Sequence, residues 1–126
     1  MSRRTESDIS RGEKKMITIE GLKEFGADTT TGLTRCLNKE DFYLKMVGMG
    51  LNEPRFNQLG EALSQKDMDA AFELSHALKG VVGNLALDPL YKIISEMTEL
   101  LRAKSDADYE SMYAQIMEKR NALLAM

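Results

Sequence analysis

Apolar and polar positions along the chain recur with the period of an α-helix, in four long segments joined by short polar stretches. In the first, Phe42, Met46 and Met49 supply one side, Tyr43, Val47 and Leu51 lie beside them, and Phe56, Leu59 and Leu63 resume the pattern past Pro54. In the second, Ala71, Leu74, Leu78, Val81 and Leu85 alternate in steps of three and four. Leu90, Ile94, Met97 and Leu101 form the third stripe, widened by Ile93 and Leu100, and Tyr109, Met112, Tyr113, Ile116 and Leu123 form the fourth. No stretch sustains the two-residue alternation of a half-buried strand. Four amphipathic helices with short connections predict an all-α fold, an antiparallel up-down four-helix bundle.

Local signals set the expected boundaries. Thr18 reads as an N-cap and Gly26 as a terminator, and Asp28 or Thr29 would cap a further segment carrying Leu33 and Leu37. These are one or two short extra N-terminal helices, too short to stand alone, that pack across one end of the bundle. Asn38 reads as the N-cap of the first long helix, in which Pro54 forces a kink or a break. Asp67 caps the second, which the pattern carries to about Leu87. Asp88-Pro89 pairs an N-cap with a first-turn proline, and Ser105 with Asp108 resembles a capping box. Residues 1–15 are polar and aperiodic and read as a flexible tail, with Met16 an alternative start, leaving 16–126 as a single domain.

Composition narrows the function. Nine Met, two Pro and no Trp make a helix-rich profile, the methionines being read as core filling. A net charge of −3 gives no electrostatic reason for a nucleic-acid partner. No apolar run approaches a membrane span, and no signal-peptide core follows the N-terminus. The single cysteine, Cys36, fits a reducing cytoplasm and lies in an apolar-periodic segment, where a buried inert thiol is expected. Nothing demands a dimer, and the chain reads as a free-standing monomer.

One stretch resists a purely structural reading. Leu74 to Leu85 holds the only histidine, His76, and two glycines inside a helical pattern. At about 100° per residue, His76 lies roughly opposite the apolar stripe, and Phe72, Lys79, Gly80 and Gly83 share its face. Each glycine costs a helix interior about 0.8–1 kcal/mol relative to alanine. That cost is explained if the face must stay open for another molecule to approach His76, the alternative being close helix packing at the glycines. Metal binding lacks a second His or Cys, a hydrolase triad lacks an oriented nucleophile, and there is no phosphate loop. What remains is the imidazole as a nucleophile: titrating near 6.5 in free form, it is largely neutral at pH 7 and can attack a phosphoryl group, with Lys79 offsetting charge.

His76-Ala77-Leu78-Lys79-Gly80 resembles the His-x-x-Lys-Gly signature of histidine-containing phosphotransfer (HPt) domains. Asp41-Phe42-Tyr43-Leu44, Ala70 to Ser75 and Gly83-Asn84-Leu85 are similar to the family as well, so the resemblance covers roughly residues 30 to 104. It implies a phosphocarrier with no ATP site: His76 accepts a phosphoryl group from a receiver-domain aspartate and passes it to another receiver. The implied partners are response-regulator receiver domains, which carry the Mg²⁺, and an upstream hybrid histidine kinase; this chain itself needs no cofactor. Phe72 becomes a candidate apolar docking contact. Thr98 and Arg102 fall where the family places polar side chains near the histidine, the first to orient the imidazole and the second to add positive charge; read from the residues alone, both lie on a solvated helix face. The family often has glycine where Ala86 stands, a change that should cost a helix nothing. The alternative is a non-catalytic adaptor that keeps the bundle and binds partners without phosphotransfer.

Overall fold

The computed structural model describes residues 17–126; the proposed tail and Met16 lie outside them. Among the described residues there are seven α-helices and no strand: α1 (Ile19–Phe25), α2 (Thr29–Arg35), α3 (Glu40–Leu51), α4 (Arg55–Ser64), α5 (Met68–Asn84), α6 (Asp88–Arg102) and α7 (Tyr109–Leu124). Helix α4 packs on α5, α5 on α6, α6 on α7, and α7 back on α4, so these four close a ring around one core. Phe56, Leu59, Leu78, Ile94, Met97 and Ile116 fill its centre with no exposed surface. Helices α1, α2 and α3 contact one another in sequence order, and α1 and α3 also contact α7.

Most helix starts follow the local chemistry. Thr18, Asp28, Asp67 and Asp108 each accept a hydrogen bond from a first-turn amide, at Gly21, Thr31, Ala70 and Ser111. Asn38 does not cap α3. Its own amide donates to the Leu33 carbonyl at 2.7 Å, and Leu37 and Asn38 both take left-handed backbone with φ of 60° and 59°. Asn38 therefore closes α2, and α3 starts after Lys39 with no side-chain cap. Ser105 is likewise drawn into closing α6, its amide donating to the Leu100 carbonyl at 2.9 Å. Leu87 takes the N-cap place before α6, with Asp88 and Pro89 in the first turn.

Pro54 breaks the chain rather than kinking one helix. Helix α3 ends at Leu51, the Asn52 side chain donates to the Gly48 carbonyl at 2.9 Å, and Pro54 opens α4 with φ −60°. Proline fits there because a first-turn amide has no intrahelical acceptor. The first expected long helix thus becomes α3 outside the ring and α4 within it. In α3 the buried line is Tyr43, Val47 and Leu51, while Phe42 and Met49 are 45% and 58% exposed. Of the methionines described, Met97 is fully buried, Met46, Met112, Met117 and Met126 pack partly buried against the core, and Met49 and Met68 are exposed.

Helix α5 sits between α4 and α6, and its buried line is Ala71, Ser75, Leu78 and Val82, with Leu85 just beyond its end. Leu74 and Val81, expected in the stripe, are only half-buried. The helix is thus rotated by roughly 40° from the orientation that hydrophobicity alone predicts, at 100° per residue. The turn buries Val82 and, beside it, a polar pair. Thr98 Oγ1 lies 3.1 Å from Ser75 Oγ and 2.7 Å from the Ile94 carbonyl, and Ser75 Oγ lies 3.1 Å from the Phe72 carbonyl. Two hydroxyl protons serve these three contacts, enough to leave neither oxygen orphaned in a place without water.

Candidate functional site: the exposed face of α5

The rotation sets what α5 presents to solvent. His76 is exposed in the middle of the helix, Gly80 points away from the core, and Lys79 lies on the flank with a quarter of its side chain accessible. The Phe72 ring stacks on His76, with centroids 5.8 Å apart and planes 17° from parallel. Arg102 of α6 also lies over the Phe72 ring, its guanidinium carbon 5.0 Å from the ring centroid. Arg102 Nε donates to Glu99 Oε1 at 3.2 Å, and Glu99 Oε2 lies 3.8 Å from Lys79 Nζ. Lys79 is one turn along from His76. Four contacts thus link five side chains in series across the α5–α6 seam: His76, Phe72, Arg102, Glu99 and Lys79.

The two glycines differ. A Cβ at Gly80 would meet nothing within 4 Å, so the space beside His76 is open there. A Cβ at Gly83 would lie 2.9 Å from the Tyr91 ring, so this glycine seats an aromatic of α6, the close-packing alternative rather than open access. Between them is a shallow depression whose lining includes His76, Lys79, Tyr91 and Asp88, and also Arg35 of α2. Arg35 Nη1 donates to the carbonyls of Gly83 at 2.8 Å and Asn84 at 3.1 Å, covering the exposed acceptors that end α5. A second groove, of about 1320 Å³, lies near the start of α5 and the end of α6 and meets this face at Phe72 and Arg102.

Thr98 is not on a solvated face and does not touch His76. It is fully buried and holds Ser75, the histidine's neighbour in sequence. Arg102 is half-exposed and reaches Phe72 and Glu99 rather than the imidazole. Arg35, Tyr91 and Glu99 were absent from the sequence reading. Glu99 had a signal, an acid three residues before Arg102 on one helix. Arg35 had none, because its acceptors lie 48 and 49 residues away. Among the described residues no group of three or more His, Cys, Asp or Glu is placed to hold a metal ion. Cys36 is buried and unpaired.

Helix α5 ends in a tight left-handed closure. The Ala86 amide donates to the Gly83 carbonyl at 3.1 Å and the Leu87 amide to the Val82 carbonyl at 3.0 Å, with Ala86 at φ 60°. These are the paired bonds of a Schellman motif, whose left-handed residue is usually glycine. Ala86 therefore stands beyond the helix rather than in it, and the argument that alanine costs a helix nothing does not apply.

A family model described as Hpt domain matches residues 51–125. The matched span contains α4 to α7, the four helices of the closed ring, and all five of these linked residues. It begins after Asp41 to Leu44 and runs past residue 104, so the similarity lies further toward the C-terminus than the motifs alone indicated. Neither a curated protein nor a solved structure matches the chain significantly.

Proposed function

The chain belongs to the Hpt domain family, and from that membership we propose that it is a phosphorelay carrier whose phosphoacceptor is His76. The observation that carries the reading is the exposure of the family-motif histidine between an aromatic ring and a cation, on the helix at the centre of the matched span. A ring nitrogen of neutral His76 directs its lone pair in line at the phosphorus of a receiver's aspartyl phosphate. The N–P bond forms as the P–O bond breaks, and the bond electrons leave with the aspartate as a carboxylate. The ring proton stays on the other nitrogen. Transfer to a second receiver runs the same step backwards, so no ATP is consumed by this chain.

Its own residues supply position and charge. Phe72 lies against one face of the imidazole and limits its tilt. Lys79 lies within reach of the phosphoryl oxygens, and Gly80 leaves room for the receiver's loops. The Mg²⁺ that neutralises the phosphoryl group in flight belongs to the receiver. Short connections between α4, α5, α6 and α7, with the ring of contacts they make, support the up-down antiparallel arrangement. No described helix is long and apolar enough to cross a membrane, and we place the relay in the cytoplasm, where receivers and the cytoplasmic part of a hybrid kinase meet it.

The test is incubation with a panel of phosphorylated receivers and Mg²⁺. An acid-labile, base-stable phosphoryl adduct is expected on the wild type and none on His76→Gln. Label that survives His76→Gln overturns the assignment. Equal receiver binding by wild type and His76→Ala, with no transfer to either, replaces the carrier by an adaptor.

A further inference from the structure

We propose that Glu99 sets how firmly the phosphoryl group is held on His76: it is a resident anion that occupies Lys79 and Arg102 while the histidine is bare and competes for them once it is loaded. The inference rests on the phosphocarrier reading above and deepens it. Lys79 is the cation nearest to His76 along α5, yet in the unloaded protein its ammonium faces a carboxylate at 3.8 Å. That separation is beyond hydrogen-bonding distance, and the Glu99 side chain is 56% exposed, so the pair is loose and readily exchanged. Arg102 is held more closely, with Nε at 3.2 Å and Nη2 at 3.5 Å from the two Glu99 oxygens.

A phosphoryl group on His76 brings a charge of about −1.5 to −2 to this face. It can be neutralised by Lys79 only as Lys79 leaves Glu99, and Glu99 then remains as a like charge beside the seam. Both effects oppose the loaded state. A carrier that must release its cargo gains from this: loading is made less favourable and onward transfer more so, by the same factor. Glu99 is a positioning residue here, acting through Lys79 and Arg102 and touching no reacting atom.

The experiment measures the equilibrium partition of phosphoryl between one receiver and this chain at low ionic strength. Glu99→Gln should shift it toward phospho-His76 by about 3- to 10-fold, the range expected for removing one exposed ion-pair partner and one like charge. The shift should shrink in a Lys79→Gln background, because part of the effect of Glu99 runs through its contact with Lys79. It should also shrink at about 0.5 M salt, where the screening length falls to a few ångströms. Glu96→Gln removes the same charge from α6 at a residue that makes no ion pair among the described residues, and should change the partition by less than about 2-fold. Unchanged melting of Glu99→Gln excludes a fold effect. If His76 is labelled but Glu99→Gln leaves the partition where it was, or Glu96→Gln matches it, the proposal is overturned. If His76 is never labelled, the phosphocarrier reading is what fails.

Discussion

The Phe72 ring lies nearly parallel to the His76 imidazole, 5.8 Å between centroids, and also carries the Arg102 guanidinium 5.0 Å from its own centroid. Residues four apart on a helix meet in this way, so the stack is a property of α5 alone, and α6 adds the cation. The aromatic ring thus flanks the imidazole and extends its surface with a partly buried apolar patch.

Phe72→Ala removes that patch and leaves His76 unsupported. Receiver affinity is expected to fall about 10-fold, equivalent to about 1.4 kcal/mol and typical of an aromatic contact at the centre of a transient interface. His76 should still accept phosphoryl when the receiver is saturating. Titration with an unphosphorylated receiver reads the first effect and a saturated labelling reaction the second. Unchanged affinity would remove Phe72 from the docking surface.

Gly80 and Gly83 separate stability from access. Gly80→Ala puts a methyl into open space and should stabilise α5 by about 0.8–1 kcal/mol, raising Tm by a few degrees. The same methyl stands one turn from His76 on the face proposed for docking, so transfer should slow by about 10-fold or more, as misplacement at a reacting centre does. Gly83→Ala gains the same propensity but drives Cβ to 2.9 Å from Tyr91, whose ring is 38% exposed and must swing out. Its melting temperature should stay close to wild type. A Gly80→Ala protein that is both more stable and equally fast would show that the glycine serves neither role.

What the sequence made legible was whatever depends on neighbours within a turn or two. Thr18, Asp28 and Asp67 cap the helices they precede, and the stripe of Leu90, Ile94, Met97 and Leu101 is buried throughout. Misread features depend on partners far away. Ser75 looks like a surface residue until Thr98, 23 positions later, supplies its hydroxyl contact, and the whole histidine face turns with it. Tyr43 looked secondary to Phe42 on α3 but is buried because its hydroxyl reaches the Leu85 carbonyl. Asn38 and Ser105 have the chemistry of N-caps, yet their amides were already committed to the helices that end before them. Of the proposed site, His76, Lys79 and Gly80 are legible in the motif and Glu99 in its spacing from Arg102, whereas the approach of Glu99 to Lys79 depends on how α6 packs on α5.

Ala86 tests how the closure of α5 is balanced. Left-handed backbone costs a non-glycine residue about 1–2 kcal/mol. Replacing it with glycine removes that strain but also a buried methyl worth about 0.8 kcal/mol, and loosens the unfolded chain by about 0.4–1 kcal/mol. The terms nearly cancel, so Ala86→Gly should lie within about 0.5 kcal/mol of wild type in urea denaturation. Ala86→Val, β-branched at the same φ, should lose 2 kcal/mol or more. A loss of that size for glycine would mean that packing of the 3% exposed methyl, and not backbone strain, dominates the site.

Tyr43 ties α3 to the end of α5, and its ionisation should loosen that tie at high pH. Its hydroxyl donates to the Leu85 carbonyl at 2.8 Å within the core, and its ring occupies the space where a Cβ at Gly32 would stand. Burial, with smaller contributions from neighbouring groups of like charge, pushes the phenol up to about 12. A raised acid pKa means that the fold binds the proton more tightly than the unfolded chain does. The stabilisation is therefore complete below pH 10, the unfolded value, and is lost as pH rises from there toward 12. Burial also raises Tyr109 and Tyr113, which add to the same alkaline loss. Tyr43→Phe isolates the share of the one buried phenol. At pH 8 it should be less stable than wild type by about 1–2 kcal/mol, because the Leu85 carbonyl loses its donor. Between pH 10 and 12 the gap should narrow as the wild type loses its phenol proton. Denaturant titrations of both proteins across that range measure the gap, and a gap that stayed constant would show that Tyr43 does not titrate with folding.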